Sequence, residues 1–558
     1  MKKKLCVALM CLSLLSLCMM GCGGEEEDSK SDKKDRVDKA GQMLDRDDAD
    51  EEDEDEEEKE TASTEEKDEE REKAESLLEG KYSVEELLNL GYDYRYGENG
   101  KEQNYDKAFE YYEKALELGS GLAANSLGYM YDYGEGVEED DVKAVSYYEK
   151  GVELGEPMAM ANLAYAYEYG EGVEQDYAKA LELYQQSMDL GEGIAANNLG
   201  WMYEYGKGVE QSYEKAFEYY SAGFMMDDGA AAGNLGWMYE KGIYVEQDFA
   251  KAKIYYEAGV ALGDDASANN LGWMYESGEG VPQSYDAAIE YYTKAIDMGS
   301  AAAAGNMGYL YRYGEGVAQD YAKAVEYYEL GVEMGDDVSA NSLGYMYDMG
   351  EGVEQNYDKA VEYYLLGVEF GNEYSASNLA YLYQYGIGVE QDIDKAIEFY
   401  ELAVDMGNAS AANDLGYMYD IGDGVEQNFE MAIMYYEVAL DMGEGAAANN
   451  LAYLYRYGEG VEQDLEKAVE YYEIGTSLGY GYSANALGYM YLMGEELEED
   501  FEKALYYYGL GVEMGNPSAA YGLGYMYYWG LGVDVDDEMA LNLYDCSLQW
   551  GGDFGWYE

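Results

Sequence analysis

Residues 127–141 read LGYMYDYGEGVEEDD, and the same pattern returns through most of the chain. With Leu127 as anchor, equivalent residues stand at Leu90, Leu163, Leu199, Leu235, Leu271, Met307, Leu343, Leu379, Leu415, Leu451, Leu487 and Leu523. Apart from one extra residue in the first copy (YGENGKEQN), every interval is 36 residues. We number the copies 1 to 13 from Leu90 to Leu523. A length of 558 residues would ordinarily suggest several domains. Thirteen copies in one register instead predict a stacked array, because such a unit buries its apolar face only against its neighbours.

Each copy reads as two helices. The first carries small and apolar residues three and four apart, such as Ala124, Leu127, Gly128 and Tyr131, which is helical spacing. It ends at a Gly seven residues after the anchor, present in all copies from Gly97 and Gly134 to Gly530. That position suits a left-handed C-cap, where a non-Gly residue costs about 1–2 kcal/mol. The loop then leads to an Asp, Asn or Ser four residues before a fixed Ala, as at Asp140, Asp176, Ser212 and Asn356. This is N-cap chemistry for a second helix. Tyr follows the Ala by four residues, as at Tyr112, Tyr148 and Tyr544, and Pro157 and Pro517 fall where a first helical turn accepts Pro.

The whole pattern, A-x-x-L-G-x-M-Y-x-x-G-x-G-V-x-x-D-x-x-K-A-x-x-Y-Y-x-x-x-x-x-x-G, resembles the Sel-one-like repeat (SLR) family, relatives of the tetratricopeptide repeat. The resemblance covers about residues 82–551. It implies an all-α fold, an α/α right-handed superhelical solenoid of about 13 helix-turn-helix repeats of 36 residues, used as a scaffold for protein–protein interaction. One branch of the family carries a disulfide in each repeat and has been linked to β-lactam binding. The Cys pairs of that branch are missing here, so its activity is not carried over.

The N-terminus carries a different signature. Lys2, Lys3 and Lys4 precede an apolar run from Leu5 to Met20 that closes on Met19-Met20-Gly21-Cys22. The run is short for a membrane span, and a small residue before Cys at its end resembles the lipobox of bacterial lipoproteins. The resemblance implies a signal peptide over residues 1–21, cleaved before Cys22, which then receives lipid and anchors the chain at an extracytoplasmic membrane face. The other Cys are Cys6, Cys11 and Cys18, inside the removable segment, and Cys546. The mature chain is therefore expected to fold without an intramolecular disulfide. From Gly23 to Gly80 there are 28 acidic and 10 basic residues and few apolar ones. Residues 22–80 read as an acidic disordered tether, with the solenoid over residues 81–558.

Composition narrows function. There are 118 Asp and Glu against 34 Lys and Arg, for a net charge of −84, and no His. Imidazole zinc sites and His-based nucleophile or acid–base systems are excluded, and so anionic a surface repels nucleic acid. No cofactor is implied. The GEG turns follow helices rather than joining strand to helix, unlike a phosphate-binding loop. Asp534-Val-Asp536-Asp537-Glu538 lacks the spaced ligands of a calcium loop. Carboxylate pairs suited to hydrolysis are too common in this chain to single one out.

One column does stand out. The residue two after the anchor lies roughly 150° from the packing face on a helical wheel, yet it is aromatic in every copy. Tyr129, Tyr165, Trp201, Trp237, Trp273 and Tyr309 are the central members. Two columns flank it: Asn two before the anchor (Asn125, Asn197, Asn269) and a charged residue five after it (Glu204, Glu240, Glu276, with Arg95, Arg312 and Arg456 reversing the sign). Together they are expected to line a concave aromatic and acidic groove favouring basic or extended protein segments. The same aromatics also suit packing between adjacent repeats. The resulting expectation is a lipid-anchored, non-enzymatic scaffold for protein partners. The alternatives are a cell-envelope hydrolase and a binder of cations or cationic small ligands.

Overall fold

The computed structural model describes residues 82–494 and 497–551; the expected signal peptide (1–21), the expected tether (22–80) and Cys22 lie outside the described residues. Those described form 26 α-helices and no strands. Helices α1 (Val84–Tyr96) and α2 (Tyr105–Glu117) make repeat 1, and the pairing continues to α25 (Pro517–Trp529) and α26 (Asp537–Gln549) in repeat 13. The chain is an all-α solenoid. It divides into two compact units, residues 82–343 and 344–551; the helices from Val84–Tyr96 to Tyr321–Glu333, and those from Tyr357–Glu369 to Asp537–Gln549, each pack on the next in sequence.

Capping sets the helix ends. The Gly seven after the anchor adopts positive φ in all thirteen copies, for example 65° at Gly134 and 79° at Gly170. The N-cap four before the fixed Ala accepts from the backbone two or three residues on, as Asp140 does from Lys143 N at 2.9 Å and Asn356 from Lys359 N at 3.1 Å. First helices are capped in most copies as well: Ser83 and Glu86 close a reciprocal capping box, and Asn372 and Asn516 accept from the first turn. A Gln in the loop closes the other end. Gln175 Nε2 donates to the Glu168 carbonyl at 2.9 Å and Gln211 Nε2 to the Glu204 carbonyl at 2.8 Å, satisfying oxygens a helix C-terminus leaves without a partner.

The second Gly of the GEG turn has a different task. Gly172 takes φ 66°, and a Cβ there would run into the backbone carbonyl of Asp141 in the preceding repeat. The turn therefore seats against its neighbour only without a side chain. Repeat 5 departs from this: Tyr244 holds the position at φ 63° and lays its ring 5.7 Å from that of Phe217.

The core is built from the columns read as structural. The fixed Ala is buried in every copy from Ala108 to Ala540, and the Tyr four after it is fully enclosed at Tyr184, Tyr220, Tyr256 and Tyr292. That ring fills the space left by the Gly after the anchor: a Cβ on Gly272 would lie 2.5 Å from Tyr292 Cδ1. A second aromatic layer forms between the Tyr four past the anchor and the ring sixteen residues on. Tyr239 and Tyr255 stack at 5.6 Å and Tyr311 and Tyr327 at 5.6 Å. The Lys before the fixed Ala caps this stack, with Lys215 Nζ 4.4 Å from the Tyr203 centroid and Lys503 Nζ 4.5 Å from that of Tyr491. No helix among the described residues is long and apolar enough to cross a membrane.

Candidate aromatic and acidic face

The aromatic column two past the anchor lies along one side of the first helices. One turn later, six past the anchor, a second ring stands beside it. Tyr129 and Tyr133 lie 4.3 Å apart, Tyr165 and Tyr169 4.4 Å, Trp201 and Tyr205 5.0 Å, and Tyr453 and Tyr457 4.6 Å. The spacing of four residues brings such rings together on any helix, so the second column was readable but was overlooked. Tyr381, Tyr417 and Tyr453 are 46–50% exposed. Tyr129, Tyr165, Trp201, Trp237 and Trp273 are half-buried, and Tyr309 is exposed at its rim. Trp201, Trp237 and Trp273 each rest one side against the core, and Trp201 also meets Tyr169 of the preceding repeat at 6.3 Å. Packing and exposure thus coexist in this column.

The carboxylates five past the anchor sit deeper than their charge suggests. Glu204 and Glu240 are 4% exposed and Glu168 2%, while Glu276 is half-buried. Each accepts the hydroxyl of the core Tyr sixteen residues on: Tyr184 to Glu168 at 2.8 Å, Tyr220 to Glu204 at 2.5 Å, Tyr256 to Glu240 at 2.8 Å, and Tyr292 to Glu276 at 2.6 Å. Burial drives Glu168 up to about 7 and also raises Glu204, Glu276, Asp348 and Asp420. The same burial, reinforced by the facing carboxylate, raises Tyr184, Tyr220 and Tyr256, so the phenol keeps its proton and donates. Within this column the raised carboxyls stand one to a repeat.

Cations that the chain places in this column or close to it lie over aromatic rings. Arg95 donates from Nε and Nη2 to the Glu135 carboxylate at 2.5 and 3.1 Å, and its guanidinium carbon lies 4.5 Å from the Tyr129 centroid. Lys207 lies over Trp201 at 5.6 Å and Lys241 over Trp273 at 5.3 Å. Arg312 and Arg456 each cover the ring that follows them, Tyr313 and Tyr457, at 5.1 Å.

The amide column joins neighbouring repeats. Asn162 donates to Asn125 Oδ1 at 2.8 Å, Asn234 to Asn197 at 2.8 Å and Asn306 to Asn269 at 2.9 Å. Asn125 is buried, and Asn197 and Asn269 are half-buried. At the C-terminal end, Asp536 caps a helix by accepting from Met539 N at 2.9 Å, and Cys546 is a half-buried thiol outside any disulfide. Among the described residues, no group of three or more acidic, Cys or His side chains is placed to hold a metal ion.

Comparison with known proteins follows the repeats. A family model described as Sel1 repeat matches thirteen times, over residues 87–120, 121–156 and onward to 517–548. Among solved structures, the chain is similar to c5321, a protective antigen of uropathogenic Escherichia coli displaying an SLR fold, at 26% identity over 79% of this chain and 94% of that one, with a TM-score of 0.41. It is similar to a Sel1 repeat protein from Oxalobacter formigenes at 27% identity over 45% of this chain and 99% of that one, TM-score 0.39. Helicobacter pylori cysteine rich protein B matches at 28% identity over 23% of this chain and 96% of that one, TM-score 0.19. No curated protein matches the chain. With thirteen consecutive matches spanning nearly all the described residues, this chain belongs to the Sel1 repeat family.

Proposed function

We propose that this chain is a lipid-anchored, extracytoplasmic scaffold that docks protein partners through the aromatic face of its first helices, favouring basic or extended segments. Sel1 repeat proteins act as protein-interaction scaffolds, are often extracellular or periplasmic, and use a fold that is typically non-enzymatic. The observation that carries the finer reading is Arg95, held against Glu135 and over Tyr129: this face accommodates a guanidinium supplied by the chain itself. Partly exposed ring pairs give area at little conformational cost. The buried carboxylates contribute field more than direct contact, and they sharpen selection against acidic partners. In this reading residues 1–21 are the signal peptide, Cys22 carries lipid, residues 22–80 form the spacer, and residues 81–558 form the scaffold.

Two experiments test it. Metabolic labelling with a radiolabelled fatty acid is expected to mark the wild-type chain and not Cys22→Ala; equal labelling, or none in either, contradicts the anchor. For the face, envelope proteins captured by the full chain are compared with those captured by the Trp237→Ala/Trp273→Ala variant at low and high salt. Basic proteins retained by wild type at high salt are expected to be lost from the variant. Identical capture sinks the aromatic-face reading, even if attraction to acidic charge remains.

A further inference from the structure

The residue by which repeat 1 exceeds the common period falls in the loop between α1 and α2, and it creates Asn99-Gly100, the only Asn-Gly pair in the chain. Most other copies have two glycines around a single residue here, as in Gly134-Glu135-Gly136; repeat 1 has Gly97-Glu98-Asn99-Gly100. Asn99 takes φ 49° and Gly100 φ 79°, and Lys101 N donates to the Glu98 carbonyl at 2.9 Å. These are the two left-handed central positions of a type I′ turn, which favours Asn-Gly. Both residues are exposed, and a Cβ built on Gly100 meets nothing within 4 Å. The turn is tied to the end of α1: Asn99 Nδ2 donates to Asp93 Oδ1 at 2.7 Å, Glu98 N to the Asp93 carbonyl at 2.9 Å and Asn104 N to the Tyr94 carbonyl at 2.7 Å.

We propose that Asn99 is a self-modification site, converted without an enzyme to aspartate or isoaspartate through a succinimide formed with Gly100, and that the conversion opens the α1–α2 turn of repeat 1. In the first step the Gly100 amide nitrogen gives its proton to solvent base and attacks Asn99 Cγ. The N–Cγ bond forms, the Cγ–Nδ2 bond breaks, and ammonia leaves with a proton taken from water. Water then opens the five-membered ring. Cleavage of the N–Cγ bond restores the main chain with aspartate in the side chain. Cleavage at the Asn99 carbonyl carbon instead routes the main chain through Cγ, as isoaspartate. One amide and one water give one carboxylate and one ammonium ion, with no change of oxidation state and no reactant besides solvent.

Glycine is what permits the first step. Without a Cβ, the nitrogen approaches Cγ unhindered and the peptide unit rotates out of the turn at little steric cost. An exposed loop held by a few backbone bonds also opens locally far more often than the helices beside it. Every other Asn stands in a helix or caps one, and each is followed by a residue that carries a Cβ. The products differ from Asn99 where the turn is held. An amide that donates to Asp93 becomes a carboxylate facing a carboxylate, so attraction turns to repulsion. Isoaspartate also lengthens the main chain by one carbon between Glu98 and Gly100, which breaks the spacing that the Lys101-to-Glu98 bond requires. Because ammonia is lost to solvent, the change runs one way.

The test incubates the full chain in warm neutral buffer, digests it at intervals and follows the change from amide to acid at each Asn by peptide mass. Asn99 is expected to convert at least about 10-fold faster than any other Asn. Aspartate and isoaspartate, separated by chromatography, are expected to appear together, as a ring opened on either side requires. The rate is expected to rise from neutral to mildly alkaline pH, because the attacking nitrogen must first lose its proton. Gly100→Ala is expected to slow conversion about 10-fold or more. Conversion at Asn99 no faster than elsewhere, an equal rate in Gly100→Ala, or aspartate without isoaspartate overturns the site. If Gly100→Ala distorts the turn, Asn99→Gln, which cannot close a five-membered ring, is expected to abolish the change, and undiminished conversion overturns the proposal. For the opening, amide exchange at Glu98, Lys101 and Asn104 is compared in fresh wild type and Asn99→Asp. The variant is expected to exchange about 5-fold faster there; equal exchange overturns the opening.

Discussion

Tyr256→Ala is expected to remove about 3–5 kcal/mol of stability from repeat 5, the range for deleting a fully buried aromatic side chain. The Tyr256 ring is fully enclosed and fills the hollow above Gly236, where a Cβ would lie 2.7 Å from Tyr256 Cδ1. Its hydroxyl bonds Glu240 at 2.8 Å. Truncation opens a cavity and withdraws a donor from a carboxylate that is 4% exposed. Tyr256→Phe separates the two effects by keeping the ring, and is expected to cost about 1–3 kcal/mol. In a repeat array each copy is held mainly by its neighbours. The loss should therefore appear as faster amide hydrogen exchange in repeats 4 to 6 before it reaches the array ends. An Ala variant within about 1 kcal/mol of wild type would show that the column does not carry the core.

Stability is expected to be greater near pH 5.5 than at pH 8. Glu168 is raised from 4.5 to about 7 and Asp336 from 3.8 to about 6, both first by burial. A carboxyl raised in the folded state binds its proton more tightly there than in the unfolded chain. Its contribution is full below the unfolded value near 4 and is lost as pH rises through 6 to 7. For Glu168 the shift corresponds to roughly 3 kcal/mol at 1.4 kcal/mol per unit. Self-repulsion of a chain at −84 acts in the same direction. Exposed caps oppose it only in stronger acid: hydrogen bonding to Lys143 lowers Asp140, and hydrogen bonding to Ser83 lowers Glu86. These contributions disappear below about pH 4. Glu168→Gln places at this position the amide that repeat 9 already uses, where Tyr400 donates to Gln384 at 3.0 Å. The variant should raise Tm at pH 8 and leave it nearly unchanged at pH 5. A lower Tm at pH 8 would mean that the Glu168 carboxylate is held ionised.

How much was legible in the sequence follows from the range of each interaction. Gly134 and Asp140 could be read in advance because a left-handed C-cap and a side-chain N-cap are settled within a few residues. Ala144 and Tyr148 could be read because thirteen copies repeat one packing problem. Glu204 and Glu240 look like surface charges in sequence; that they are buried follows from phenols sixteen residues away, whose hydroxyls become visible only when two helices are laid together. The Arg95–Glu135 pair spans 40 residues and has no local mark. Asn125 was read as one member of a flanking column. Its partner Asn162 occupies a different register in the next repeat, so their bond stays hidden when every copy is aligned on the same anchor.

The most direct test of the central claim is calorimetric titration of nona-arginine into wild type and into Trp237→Ala/Trp273→Ala, at about 150 and 500 mM salt. If the aromatic face docks basic segments, the variant loses about 10-fold in affinity at the lower salt while remaining helical by circular dichroism, and the wild type retains measurable binding at the higher salt. Equal affinity in the two proteins, vanishing together as salt rises, would contradict the account and reduce the interaction to diffuse charge.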